Sequence, residues 1–147
     1  MNPPLWTFEH TVECEVPREF AWNYWTNPAN WDDPPARFEF DGPFAVGTTL
    51  TTILPEQKLK SVIREVEPGT AALIEMDVAG ATVEFRWKFG ELARERTKVT
   101  QQITLSGKGA EGITGQARML EQSVPDGMKR IAGRMELAWK ATRPTKS

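Results

Sequence analysis

His10 is the only histidine of this 147-residue chain, and Cys14 is its only cysteine. They stand four positions apart in the stretch LWTFEHTVECEV (residues 5–16), and the pair raises two chemical readings. A metal site draws on several ligands, which one histidine and one cysteine do not supply. A cysteine–histidine dyad fails on distance, because residues four apart on a strand lie roughly 13 Å from each other. His10 taken alone is the kind of side chain that serves as a general base or as a polar group lining a cavity. It is equally the kind that sits in a core, bonded to backbone or to a neighbour. Both readings stay open.

Gln101 is the second candidate. It falls in the apolar register of a predicted strand, and a buried amide must find partners. Those partners could be another side chain, a water or a ligand. The adjacent acids Asp32 and Asp33 precede two prolines, which suits a solvated turn better than an acid–base pair. GKGAEG (residues 107–112) spells the G-x-G-x-x-G of a dinucleotide-binding turn. That fingerprint needs a parallel βαβ unit, and no strand is predicted after residue 107, so the glycines read as a sheet-to-helix connector. Met76, Met119, Met128 and Met135 pack cores, or line a pocket where ligands of varied shape must be accommodated. The sequence holds no G-x-S-x-G, no phosphate loop and no metal-spaced cluster, and no cofactor is expected.

These residues must be positioned by secondary structure. Residues 5–16 alternate strictly, with Trp6, Phe8, His10, Val12, Cys14 and Val16 on one side, which is the period of a half-buried strand. Pro17 suits the start of a helix running to about Thr26. Asn27 and Pro28 then cap and open a second short helix. DDPP at residues 32–35 ends it. Strands follow at 36–40, 48–54, 59–66, 71–78, 81–89 and 97–107. Their connections are short, except for a longer one at ELARER, and this spacing describes an antiparallel meander. Strand parity at 59–66 is ambiguous, so Arg64 could face the interior or the solvent. From Glu111 to about Thr142 the pattern is helical, with a break at SVPDG. Val124, Met128, Ile131, Met135 and Trp139 form one apolar stripe.

At 147 residues the chain fits a single domain spanning 1–147. Its net charge of −2 leaves no electrostatic footprint for nucleic acid. No basic region is followed by an apolar run at the N-terminus, and no stretch approaches the ~20 residues of a membrane span. A single cysteine favours a reducing compartment. The expectation is a cytoplasmic protein that inserts into no membrane. The oligomeric state is not legible.

In this order and spacing, the chain resembles the START-like, Bet v 1-like (SRPBCC) superfamily, and within it the bacterial polyketide cyclase/dehydrase and lipid-transport group. The residues that carry the resemblance are WTFEHTVECEVPREFAWNYWTNPANW, DGPFAVGTTL, IREVEPGTAALIEM, RTKVTQQITLSG and the final helix with PDGMKRIAGRME. Members often have Asp-Pro where this chain has Asn27-Pro28, and asparagine caps a helix equally well.

The resemblance implies an α+β helix-grip fold. A curved antiparallel sheet of about six to seven strands would surround a long C-terminal helix, with two short helices after the first strand. It implies an internal cavity for a small hydrophobic or amphipathic molecule, which the protein would bind or transport. Trp25, Phe85, Trp87, Met76, Met128, Ile131 and Met135 would be the walls, and His10 and Gln101 the orienting polar groups. The alternatives are a polyketide cyclase/dehydratase-like enzyme using the same cavity, and an Hsp90-activator-like interaction domain. A non-catalytic binding protein is the reading preferred here. The aromatic-rich FAWNYWTNPANW (residues 20–31) puts Phe20 and Tyr24 on one helix side and Trp22 and Trp25 on the other. A helix wedged between sheet and ligand space would do so.

Overall fold

The computed structural model describes residues 4–142. The alternating first segment is strand β1 (Trp6–Cys14), and helix α1 follows (Arg18–Trp25). Pro17 precedes α1 in an extended conformation, and Thr26 ends it with its hydroxyl donating to the Trp22 carbonyl at 2.8 Å. A 3-10 turn at Pro28–Asn30 comes next, capped by the Asn27 side chain, which accepts from the Ala29 N–H. Six strands then run in sequence: β2 (Arg37–Phe40), β3 (Thr49–Ile53), β4 (Lys58–Glu67), β5 (Ala71–Val78), β6 (Ala81–Ala93) and β7 (Arg96–Ser106). A second 3-10 turn at Ala110–Ile113 leads into helix α2 (Thr114–Thr142).

All seven strands form one antiparallel sheet in the order β1-β7-β6-β5-β4-β3-β2. The six later strands are the meander expected from their short connections. β1 closes the far side by pairing with the last strand, Trp6 opposite Leu105 and Cys14 opposite Thr97. The sheet is curved, with one long C-terminal helix against it. Among the strands α2 makes its close approach to β1, and it also meets α1.

Three expectations need correction. The connection at ELARER is a tight hairpin, because β6 and β7 stay paired out to Ala93 and Arg96 with an irregularity between Glu91 and Ala93. SVPDG does not break the helix. α2 runs through Pro125 without interruption, since Val124 and Met128 on either side remain packed and tertiary burial outweighs the lost backbone bond. The Asp32–Asp33 turn is not merely solvated. Asp33 accepts from Arg130 at 2.9 Å and from Arg134 at 2.7 Å, and Asp32 accepts from the Phe38 N–H at 2.9 Å.

The parity of β4 is decided by an irregularity. Ile63 pairs with Ile74 and Glu65 with Leu73, so the register shifts across Arg64. Ser61 and Ile63 are buried, while Arg64 points outward and pairs with Glu75 at 3.3 Å. The glycines of GKGAEG pack the connector against the β5–β6 turn. A Cβ on Gly109 would lie 2.0 Å from the Ala79 carbonyl oxygen, and Gly107 sits at φ +97°. Close backbone approach explains the motif.

Candidate functional site

Cross-strand pairing assembles the interior in rows, because directly opposed residues share a face. One row runs Trp6, Leu105, Val83, Met76, Ser61, Leu50 and Phe40. The next runs Phe8, Ile103, Phe85, Ile74 and Ile63. A third runs His10, Gln101, Trp87, Ala72 and Val66. Val12, Val99 and Phe89 begin a fourth. His10 and Gln101, ninety-one positions apart, are therefore direct neighbours on the inner face.

The apolar interior consists of two clusters. One gathers Trp6, Ala81, Val83, Ile103, Leu105, Ala110 and Ala117, with Met76 packed on it. The other gathers Trp22, Trp25, Trp87, Phe89, Val99, Met128 and Met135 among its members, with Ile131 packed on it. Phe85 and Val124 touch both. On β1 and β7 the clusters change over at His10 and Gln101, which belong to neither. The polar pair thus occupies the seam between two apolar bodies.

Neither side chain forms a hydrogen bond with the described residues, whereas the buried hydroxyls of Thr48 and Thr97 bond to the Pro43 and Val16 carbonyls at 2.7 Å. Gln101 is buried and His10 half-buried. The fully buried side-chain polar atom that lacks a partner among the described residues is Trp25 Nε1. The Gln101 amide therefore reaches accessible space and is open to a water or a ligand. In the rows that begin at Trp6, Phe8, His10 and Val12, His10 is the one ionisable side chain on β1, β7, β6 and β5. The next row holds Cys14, Thr97 and the exposed Glu91. Burial, reinforced by the Glu136 charge, pushes the Cys14 thiol up to about 11. Among the described residues no group of three or more His, Cys, Asp or Glu could hold a metal ion.

α1 supplies the aromatic wall. Trp25 is 1% exposed. Its ring lies 4.9 Å from Phe44, 5.0 Å from Trp87, 5.3 Å from Phe89 and 5.4 Å from Trp31, between centroids. On the opposite side of α1, Phe20 meets Trp139 of α2 edge-on at 5.1 Å. The helix is wedged, as its two-sided aromatics require. Trp31 donates its indole N–H to the Trp25 carbonyl. The Trp25 indole Nε1 is itself buried with no partner, a deficit worth about 1–3 kcal/mol.

The nine sequence candidates divide as follows. His10, Gln101 and Trp87 share a row, and Trp25, Met128 and Met135 lie in the cluster containing Trp87. Phe85 bridges the clusters, Ile131 is peripheral, and Met76 stands in the other cluster. Sequence reasoning missed Phe44, whose loop DGPFAVG gave no periodic signal. Separately, an open groove of about 450 Å³ runs along the β2–β3 edge, lined by Glu39, Phe40, Asp41, Thr49 and Thr51. It contains none of the nine.

No family model matches the sequence, and no curated protein matches it. Solved structures do match. A norcoclaurine synthase point mutant from Thalictrum flavum superposes with a TM-score of 0.74 at 14% identity, over 95% of this chain and 99% of that one. An aromatase/cyclase from Streptomyces sp. R1128 gives 0.71 at 15% identity, over 89% and 93%. A protein from Arthrobacter aurescens gives 0.63 at 16% identity, over 92% and 86%. The chain has the Bet v 1-like helix-grip fold. At these identities the likeness establishes the fold alone. In this fold Met128, Ala132 and Met135 of α2 pack in the cluster that holds Trp87 and Val99. No helix among the described residues is long and apolar enough to cross a membrane.

Proposed function

We propose that this helix-grip protein binds a small, largely apolar molecule between the inner face of the sheet and α2, with His10 and Gln101 orienting it. The observation that carries the reading is the unpartnered His10–Gln101 pair at the seam of two apolar clusters. Apolar pockets with a few convergent polar groups are what small-molecule sites look like. The fold relatives add support: one norcoclaurine synthase structure holds dopamine and hydroxybenzaldehyde, which are small aromatic molecules. An enzyme needs positioned acids and bases. Here the row of His10 holds Gln101, Trp87, Ala72 and Val66, with no second acid or base beside the histidine, so binding is favoured over cyclase chemistry.

Native mass spectrometry of freshly purified protein tests this directly. A near-stoichiometric apolar molecule is expected on the wild type, and its occupancy should fall about tenfold in Gln101→Leu, the order of one hydrogen bond. The thermal midpoint of that variant should hold, since the amide removed makes no hydrogen bond within the described protein. Equal occupancy in the two proteins would sink the role given to Gln101. An empty wild type that also takes up no added apolar compound would sink the binding reading.

A further inference from the structure

Trp25 is a wall of the apolar interior that carries one polar atom. The Nε1 atom is inaccessible and has no hydrogen-bond partner, in a residue that is 1% exposed. An indole N–H can only donate. Around it stand the rings of Trp22, Trp31, Phe44, Trp87 and Phe89, all within 5.8 Å between centroids. A water placed among these rings would lack the two to four polar partners that hold a buried water. The neighbouring Trp31 indole in the same cluster is satisfied by the Trp25 carbonyl, so the orphan is particular to Trp25.

We propose that the Trp25 indole N–H is a recognition point for an acceptor oxygen on the ligand, a ketone or ether carried by a planar apolar body. The proposal rests on the binding reading above and adds its chemical class. A donor-only group buried among rings selects for a ligand that brings an uncharged acceptor. It gives nothing to a pure hydrocarbon of the same shape. Trp87 stands next to Trp25 in the cluster and opposite Gln101 in the sheet. A molecule lying over Trp87 would therefore meet the Trp25 donor at one end and the His10–Gln101 pair at the other. Entry requires a ring to move. Phe44 is the nearest to Trp25, and like Trp31 it lies outside α1 and the sheet. Its loop runs between Gly42 and Gly47, the latter at φ +95°, whereas the Trp31 indole is tied to the Trp25 carbonyl.

The test compares 2-acetylnaphthalene with 2-isopropenylnaphthalene, two hydrocarbon-framed probes of nearly one planar shape that differ in the acceptor oxygen, titrated into wild type and Trp25→Phe. Wild type should prefer the ketone by about tenfold, the order a neutral hydrogen bond supplies. The variant should bind both probes alike. In wild type, one indole N–H proton resonance, the one in contact with the Trp87 and Phe89 rings, should move downfield with the ketone and not with the hydrocarbon. This spectroscopic arm needs no variant, so it decides the matter if Trp25→Phe fails to fold. Equal binding of the two probes by wild type, with no indole shift, would overturn the proposal and leave the binding reading standing. That result would mean a ring face satisfies the N–H. Binding of neither probe would overturn both.

Discussion

Single side chains in this protein are governed by what burial denies them. Cys14 shows the effect most simply. Packed at 1% exposure with Glu136 nearby, its thiol is raised from 9.0 to about 11. The thiolate is the reactive form, so at pH 8 the folded protein carries about a hundredfold less of it than an ordinary thiol of pKa 9.0. Native protein should therefore be almost inert to a thiol-disulfide reagent at pH 8 and should react at once on unfolding. Rapid native labelling would contradict the burial. The linkage sign follows from the same shift. A raised thiol value stabilises the fold fully below pH 9, and the contribution is lost as pH rises toward 11. Inward placement of His10 and Gln101 was legible from strand parity, because the side-chain period on a strand is two. Arg64 was not legible, since the register shift between Ile63 and Glu65 breaks that period where it mattered.

Elements are held by contacts that the alternation does not encode. The 107–112 connector lies on the β5–β6 turn, with the Gly109 N–H donating to the Gly80 carbonyl at 3.2 Å. A methyl group at Gly109 has no room there, its Cβ falling 2.0 Å from the Ala79 oxygen. Gly109→Ala should cost about 1–3 kcal/mol, the usual penalty of overpacking, read as a lowered urea midpoint. An unchanged midpoint would show that the connector is not seated as described. The glycine pattern was visible in the sequence, but its cause lies thirty residues upstream in space-filling. For α2 the apolar stripe was legible, and its passage through Pro125 was not. Local rules place a boundary there, and only packing of Val124 and Met128 against the interior overrides them.

At the scale of the whole molecule, distant segments are tied across the outside of the interior. Asp33 and Arg130 are 97 positions apart and Asp33 and Arg134 are 101, and this link fastens the turn before β2 to α2. Hydrogen bonding from Arg130, the dominant cause, holds the Asp33 carboxyl below its ordinary value of 3.8, and Asp33 in turn raises Arg130. A lowered carboxyl value means that the stabilisation is present above pH 3.8 and is lost as pH falls through the depressed value. Asp33→Asn should lower stability by about 1 kcal/mol at pH 7, since these groups are partly solvated. The gap to wild type should close in acid, where the wild-type carboxyl is itself protonated. A gap that persists at low pH would mean that the turn is held by something other than this ion pair.

The sequence by itself determined the strands, their inner faces and the two-sided aromatics of α1, because these follow from side-chain period and turn chemistry acting over a few residues. The helix-grip architecture was implied by the family resemblance. It placed His10 and Gln101 inward but could not say that they meet. Their meeting depends on β1 pairing with β7 across 91 positions, a non-local choice set by how the whole sheet closes. The same holds for the Trp25 N–H. An indole is visible in any sequence, but whether it lacks a partner depends on every ring that the fold packs around it, and only the tertiary structure decides that.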